Sequence, residues 1–276
     1  MKRVACLLLA VVPLLAHGGD PPVCCGPAFG TTYRVVLARE PEGLPLAAVH
    51  REVEAVIARV DRAASAWRDD SDVSRFNRAA AGAWVDVGRD LVAIVEAGRR
   101  IHEASHGAFD MTVTGAGTPA AGMELIEVRQ VPPALRKARD GLALDLGGIG
   151  PGYAVDVIGS RLVEIGSRDH LVELGGEVRA WGCRPDGGAW RVRVAAAAGN
   201  AIDLEDGMAL ATSTARPGRS PIDPRTGGVV ACRVPSATVR TTSCADADAW
   251  AVAALVLGLE ADSDGVIALP AALRGR

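Results

Sequence analysis

Two aspartates bracket a run of glycines in the middle of this chain. Asp145 precedes Gly147, Gly148, Gly150 and Gly152, and Asp156 follows them. Leu142, Leu144 and Leu146 alternate with small or acidic residues before the run. Tyr153, Val157, Ile158, Leu162 and Val163 recur at helical spacing after it. Period two, then glycines, then period 3.6 predicts a strand, a tight turn and a helix start. Pro151 suits the first turn of that helix, where no N–H is needed. A helix start offers unpaired N–H donors and a positive dipole end, and glycines let a ligand approach the backbone. The chemistry expected of this turn is phosphate or carboxylate binding. The spacing GGIGPG does not place three glycines as G-x-G-x-x-G, which argues against a dinucleotide-binding oxidoreductase. Glu173 is a weak candidate for the ribose-binding acid that such a fold requires, and repeated βαβ units do not follow.

The elements around the turn follow from periodicity. Residues 30–37 (GTTYRVVL) alternate as a strand. Residues 46–66 carry Val49, Val53, Val56, Ile57, Val60 and Ala64 on one helical face. Asp70, Ser71 and Asp72 are capping residues ahead of a short helix at 73–78, with Trp67 and Phe76 read as packing residues on their own. A second long helix is expected over 85–104. In GAFDMTV, Asp110 taken alone is a turn or cap residue. His170–Ala180 reads as strand, Gly-Gly turn, strand. Strands are also expected at 190–195, 208–212 and 237–241, and an irregular loop at 215–228. Residues 246–258 form a helix that is apolar nearly all round and therefore buried.

Composition limits the function classes. The chain has 276 residues, 49% hydrophobic, with a formal net charge of −3. That suffices for one large domain with a substantial core, and no basic field argues for nucleic acid. Lys2 and Arg3 precede an apolar run from Val4 to Ala16, which reads as a secretory signal peptide over residues 1–19. An uncleaved anchor is the alternative. Residues 20–29 are Pro- and Gly-rich and read as a tether, leaving 30–276 as the domain. Export permits disulfides, and the five cysteines after Cys6 leave at least one thiol free or paired between chains.

Eight segments, taken in order, resemble the ApbE family of FAD:protein FMN transferases. They are GTTY (30–33), SAW…SDVSRFN (65–77), GAFDMTV (107–113), LDLGGIGPGYAVD (144–156), ELGGEVRAWG (173–182), LATS (210–213), IDPRTG (222–227) and DADAWAVAALVLG (246–258). The resemblance implies an α+β fold of mixed sheets with packed helices. It also implies transfer of FMN from FAD to a Thr or Ser hydroxyl of an acceptor protein, with AMP leaving and Mg2+ bridging phosphate oxygens. The acceptor would be an exported flavoprotein subunit or domain, free or membrane-associated, and the chain itself periplasmic or at a membrane surface. Carried over by position, Ala154 offers its carbonyl and Asp248 its carboxylate to the metal. Trp67, Asp110, Pro151 and Asp223 border FAD. Magnesium takes oxygen ligands, usually one or two carboxylates with phosphate and water.

Three departures from the family pattern stand out. Val252 occupies the place of a Thr that supplies a hydroxyl ligand. Ser220 occupies the place of a His that is a candidate base. Pro151 stands where Lys or Glu is common. Two readings follow: an exported FMN transferase with a rewired metal site, or a binding module that keeps FAD and has lost transfer.

Overall fold

In the computed structural model the described residues are 21–113, 122–194, 201–215, 220–267 and 269. The signal-peptide reading falls outside them. The main sheet has six antiparallel strands in the order β1 (Val23–Ala28), β2 (Thr31–Leu37), β6 (His170–Leu174), β7 (Glu177–Trp181), β10 (Ala209–Thr214) and β13 (Ser236–Thr241). A smaller sheet joins β3 (Val85–Asp86), β5 (Pro133–Lys137) and β4 (Ile126–Gln130). Two hairpins complete the strands: β8 (Trp190–Arg193) with β9 (Ala201–Leu204), and β11 (Ile222–Asp223) with β12 (Gly228–Val229). The helices are α1 (Leu46–Ala64), α2 (Asp72–Arg78), α3 (Arg89–Ala104), α4 (Gly150–Glu164) and α5 (Cys244–Leu257). This is the expected α+β architecture.

Helices α1 and α4 cover one face of the main sheet, burying Val53, Val60, Ile158 and Leu162 against Val35, Leu37, Val172 and Leu174. The β8–β9 hairpin covers the other face through Trp190, Val192 and Leu204. Helix α5 is shared between two cores. Cys244 and Ala247 face the sheet, while Ala249, Trp250, Ala253 and Leu255 face α3 and the small sheet. A helix buried on all sides has no amphipathic stripe, as its sequence requires.

The crossing of α4 and α5 fixes this arrangement. A β-carbon at Gly152 would lie 2.3 Å from the Cys244 carbonyl oxygen, so only glycine lets the helices approach this closely. Asp156, one turn further along α4, accepts from the backbone N–H groups of Cys244 (2.9 Å) and Ala245 (3.0 Å) and from the Ser243 hydroxyl (2.9 Å). It also pairs with Arg179 at 2.6 Å. A carboxylate from one helix thereby satisfies the orphan donors at the start of another.

Three expectations are corrected. Residues 20–29 are not a tether throughout, because Val23–Ala28 pairs with β2 as an edge strand and buries Cys24 and Ala28. The helix expected over 85–104 begins only at Arg89, and Val85–Asp86 joins the small sheet. Leu142–Leu146 is extended but belongs to no sheet. Side chains take several of its backbone bonds: Asn77 donates to the Leu144 carbonyl (2.9 Å) and accepts from the Leu144 N–H (2.8 Å), and the buried Lys137 ammonium donates to the Leu142 carbonyl (2.8 Å), while the Asp145 N–H reaches the Met111 carbonyl (2.7 Å). Alternation therefore marked which side chains are buried, not a strand partner. The five described cysteines are all free thiols.

Replacing Asp156 by Ala removes an acceptor shared by four donors and should cost about 2–4 kcal/mol of stability. Urea unfolding of the two proteins measures this directly. A difference below about 1 kcal/mol would show that the α4–α5 crossing does not depend on this carboxylate.

Candidate functional site

The glycine turn leads into α4 at Gly150, with Pro151 in its first turn as expected. The free backbone groups there have the opposite sign to those the sequence suggests. The Gly147 N–H is taken by Asp145 (2.8 Å), and those of Ile149 and Gly150 by the Leu146 carbonyl (3.2 and 2.8 Å). Pro151 has none, and Gly152 donates to the Asp248 carboxylate at 3.2 Å. Gly147 and Gly148 precede the Ile149 cap, whose carbonyl accepts the first helical bond, from the Tyr153 N–H at 2.9 Å. No donor among the described residues reaches the Gly147 or Gly148 carbonyl oxygen. Free carbonyl oxygens suit a cation rather than an anion.

The carboxylate that closes this turn is buried. Asp248 lies on α5 opposite Gly152, and desolvation raises its pKa above the ordinary carboxylate range. Glu177, at the start of β7, is raised well above that range by desolvation first and then by the nearby Asp248 charge. Burial also pushes Glu173 up to about 7, although its Oε1 accepts from the Gly176 N–H at 3.2 Å. Glu173 and Glu177 are held near each other by the Gly175–Gly176 turn, whose φ values of 68° and 124° only glycine adopts readily. The buried Glu173 and Asp248 and the half-buried Glu177, without a full set of cationic partners, favour protonation or a bound cation.

The other predicted residues surround the same turn. A β-carbon at Gly148 would lie 2.9 Å from Val252 Cγ2 and 3.5 Å from the Phe109 ring, so α5 and the GAFD segment both abut the turn. Asp110, next to Phe109, has its side chain fully enclosed. It accepts from the Thr112 N–H (2.7 Å), the Thr112 hydroxyl (2.6 Å) and the Gly122 N–H (3.3 Å), and lies 3.3 Å from His102 Nδ1. Its carboxylate organises the segment and is not open to a ligand, in accord with its reading as a turn residue. Asp223 is bidentate to Arg225 (2.8 Å at both oxygens), which holds its pKa below the usual range. The Arg225 stem lies 3.5 Å from the β-carbon position of Gly107, bringing the IDPRTG loop to the GAFD segment. Ser220 is half-buried at the start of that loop and makes no hydrogen bond among the described residues.

One sequence expectation fails. Trp67 is 94% exposed and is not a packing residue, whereas Phe76 is fully buried. Trp67 stands just beyond the end of α1, whose Ala64 reaches the Gly150 side of the turn. Ala154 is buried inside α4, one turn beyond the start of the helix. The carbonyl oxygens without a donor belong to Gly147 and Gly148, which the sequence reading did not single out. His102 was also missed, because no motif marked it.

Among the described residues no three His, Cys, Asp or Glu side chains converge on a point that could hold a metal. A cavity of about 780 Å3 lies elsewhere, between α3, α5 and residues 262–269, lined by Arg100, Ile101, Arg240, Asp246, Trp250 and Leu269. It holds none of the predicted site residues. Asp246, two positions from Asp248, faces it and pairs with Arg100 at 3.2 Å.

Comparison with known proteins fits this geometry. The model of the ApbE family matches residues 29–268. The chain is 28% identical to an FAD:protein FMN transferase of Vibrio cholerae, covering 90% of this chain and 86% of that protein. It is 29% identical to an FAD:protein FMN transferase of Klebsiella pneumoniae, with 93% and 85% covered. Among solved structures it is similar to a mutant of the flavin transferase ApbE from Vibrio cholerae, with a TM-score of 0.78, 28% identity and 90% and 89% covered. The apo form of a Pseudomonas stutzeri flavinyl transferase ApbE gives a TM-score of 0.77, 31% identity and 89% and 86% covered.

The Glu173 carboxyl gives a pH-dependent test of this burial. Its folded pKa of about 7 lies above the ordinary value of 4.5, so the folded state holds the proton more tightly. Its stabilising contribution is complete below about pH 4.5 and is lost as pH rises through 7. The stability of the wild type minus that of Glu173→Gln should therefore fall across this window, read as paired urea midpoints. A flat difference would place Glu173 in contact with water.

Proposed function

We propose, from the premise that this chain belongs to the ApbE family, that it is an FAD:protein FMN transferase. FMN passes from FAD to a Thr or Ser hydroxyl of an acceptor protein, and AMP leaves. One observation carries the reading beyond family membership: the Gly147 and Gly148 carbonyl oxygens have no donor among the described residues, and the buried Asp248 carboxylate meets the helix that follows them at the Gly152 N–H. Oxygen donors of this kind fit Mg2+, which binds through one or two carboxylates, water and substrate phosphate rather than a cage of side chains. When bound, the ion supplies neutralisation of charge on the phosphate oxygens.

The chain's own residues do the rest. Asp248 and the two carbonyls would hold the ion. The Asp223–Arg225 pair presents a fixed loop over the GAFD segment. Trp67 offers an open indole face of the kind that stacks on a flavin or adenine ring. Phosphoryl transfer needs little covalent chemistry from the protein beyond such positioning and electrostatics. The basic start and apolar run of residues 2–16 support export, with the reaction at the periplasm or a membrane surface. The acceptor is then itself exported.

One observation favours the second reading, an FAD-binding module without transfer. Val252 turns methyl groups toward Gly148, where a hydroxyl would add a ligand.

The two readings separate in one experiment. The purified chain is incubated with FAD, MgCl2 and an acceptor domain whose threonine is flavinylated by an established transferase, and the acceptor mass is read. A gain equal to FMN is expected, falling about 100-fold or more in Asp248→Ala and rising in Val252→Thr. FAD bound with no mass gain in the wild type would establish the binding module instead. Unchanged transfer in Asp248→Ala would remove Asp248 from the cation site.

A further inference from the structure

We infer that His102, oriented by Asp110, is the general base that removes the acceptor hydroxyl's proton. The inference rests on the transferase reading above. His102 lies in the last turn of α3, half-buried. Its Nδ1 is 3.0 Å from the Phe109 carbonyl oxygen and 3.3 Å from Asp110 Oδ2. Both are acceptors, so Nδ1 carries the proton and Nε2 keeps its lone pair. A carboxylate that fixes the tautomer of an imidazole is the arrangement by which His acts as a base toward a hydroxyl. Asp110 is committed to this task, since its side chain is fully enclosed.

The imidazole also lies near the loop. A β-carbon at Gly107 would lie 3.8 Å from His102 Cε1 and 3.5 Å from Arg225 Cγ, so the ring and the IDPRTG loop both border Gly107. The Phe109 residue that bonds Nδ1 places its ring against the Gly148 position of the cation-binding turn. Charged groups facing the ring are Asp110 from the GAFD segment and Arg225 from the loop, the latter neutralised by Asp223. The remaining described histidines are placed otherwise. His170 is buried and stacked on Trp181, His50 sits against Tyr33 and Glu54, and His106 is exposed. Ser220, at the start of the loop, has a hydroxyl but no group that titrates near neutrality.

In the step proposed, the acceptor hydroxyl oxygen attacks the phosphorus of the FMN half of FAD. The new O–P bond forms as the P–O bond to AMP breaks, and AMP leaves with that electron pair. The hydroxyl proton passes to His102 Nε2. No oxidant or reductant is involved.

The test compares wild type with His102→Gln in the mass assay above, across pH 5 to 9, alongside FAD binding by flavin fluorescence. Expected is a loss of about 100-fold or more in transfer, disappearance of the rising limb of the pH profile, and FAD binding within twofold of wild type. Retained transfer with the limb intact would overturn the inference and leave the transferase reading standing. Loss of FAD binding together with transfer would make His102 structural and would also overturn it. A wild type that transfers nothing would fail the transferase reading itself, and the base assignment with it.

Discussion

Asp156 ties the site together without being part of it. Its carboxylate belongs to α4, yet its hydrogen bonds are to the first turn of α5 and to Arg179 on β7. Three elements are thereby set at one point, with Gly152 removing the side chain that would hold the helices apart. Asp248 follows Cys244 by just over one helical turn, so fixing the start of α5 also fixes where that carboxylate meets α4. The N–H it captures from Gly152 is one of the orphan donors in the first turn of α4.

The treatment of charge divides the acidic residues into two groups. Asp110, Asp156 and Asp223 are each matched by donors or by an arginine, and each fixes a segment of chain. Glu173 and Asp248 are buried and Glu177 half-buried, all with fewer partners, and desolvation raises all three. A fold that can satisfy carboxylates so fully elsewhere leaves these three less satisfied, on β6, β7 and α5. Buried carboxylates in that state destabilise the ionised form unless a cation joins them.

The fold was legible where a pattern has one physical meaning. The Gly-Gly hairpin of β6 and β7, the face of α1 and the all-apolar α5 each follow from periodicity and burial. Leu142–Leu146 was misread because alternation reports burial on one side, and the backbone partner is supplied by Asn77, 65 or more residues distant in sequence. Val23–Ala28 was misread because proline and glycine are tolerated on an edge strand as well as in a linker. Of the site, Asp248 and the glycine turn were visible as motifs, whereas the open carbonyls of Gly147 and Gly148 show only in the folded backbone. His102 carried no motif at all. Its meaning comes from Asp110, and only the tertiary path of the 107–113 segment puts the two side by side.

The substitutions at Pro151 and Val252 bear on the turn in opposite ways. Val252 offers no oxygen, and its methyls lean on Gly148. Pro151 opens α4 and offers no N–H, while the Gly147 and Gly148 carbonyls ahead of it keep no donor among the described residues. The number of oxygen donors that the turn and α5 present is therefore not set by side chains alone. A hydroxyl is absent, but the two carbonyls of the turn and the Asp248 carboxylate on α5 remain. For an ion that binds hard oxygen and retains water, the backbone carbonyls are as suitable as a hydroxyl. The loss of a side-chain ligand at Val252 is for this reason compatible with a working cation site, and the geometry that preserves it is the same helix crossing on which the fold depends.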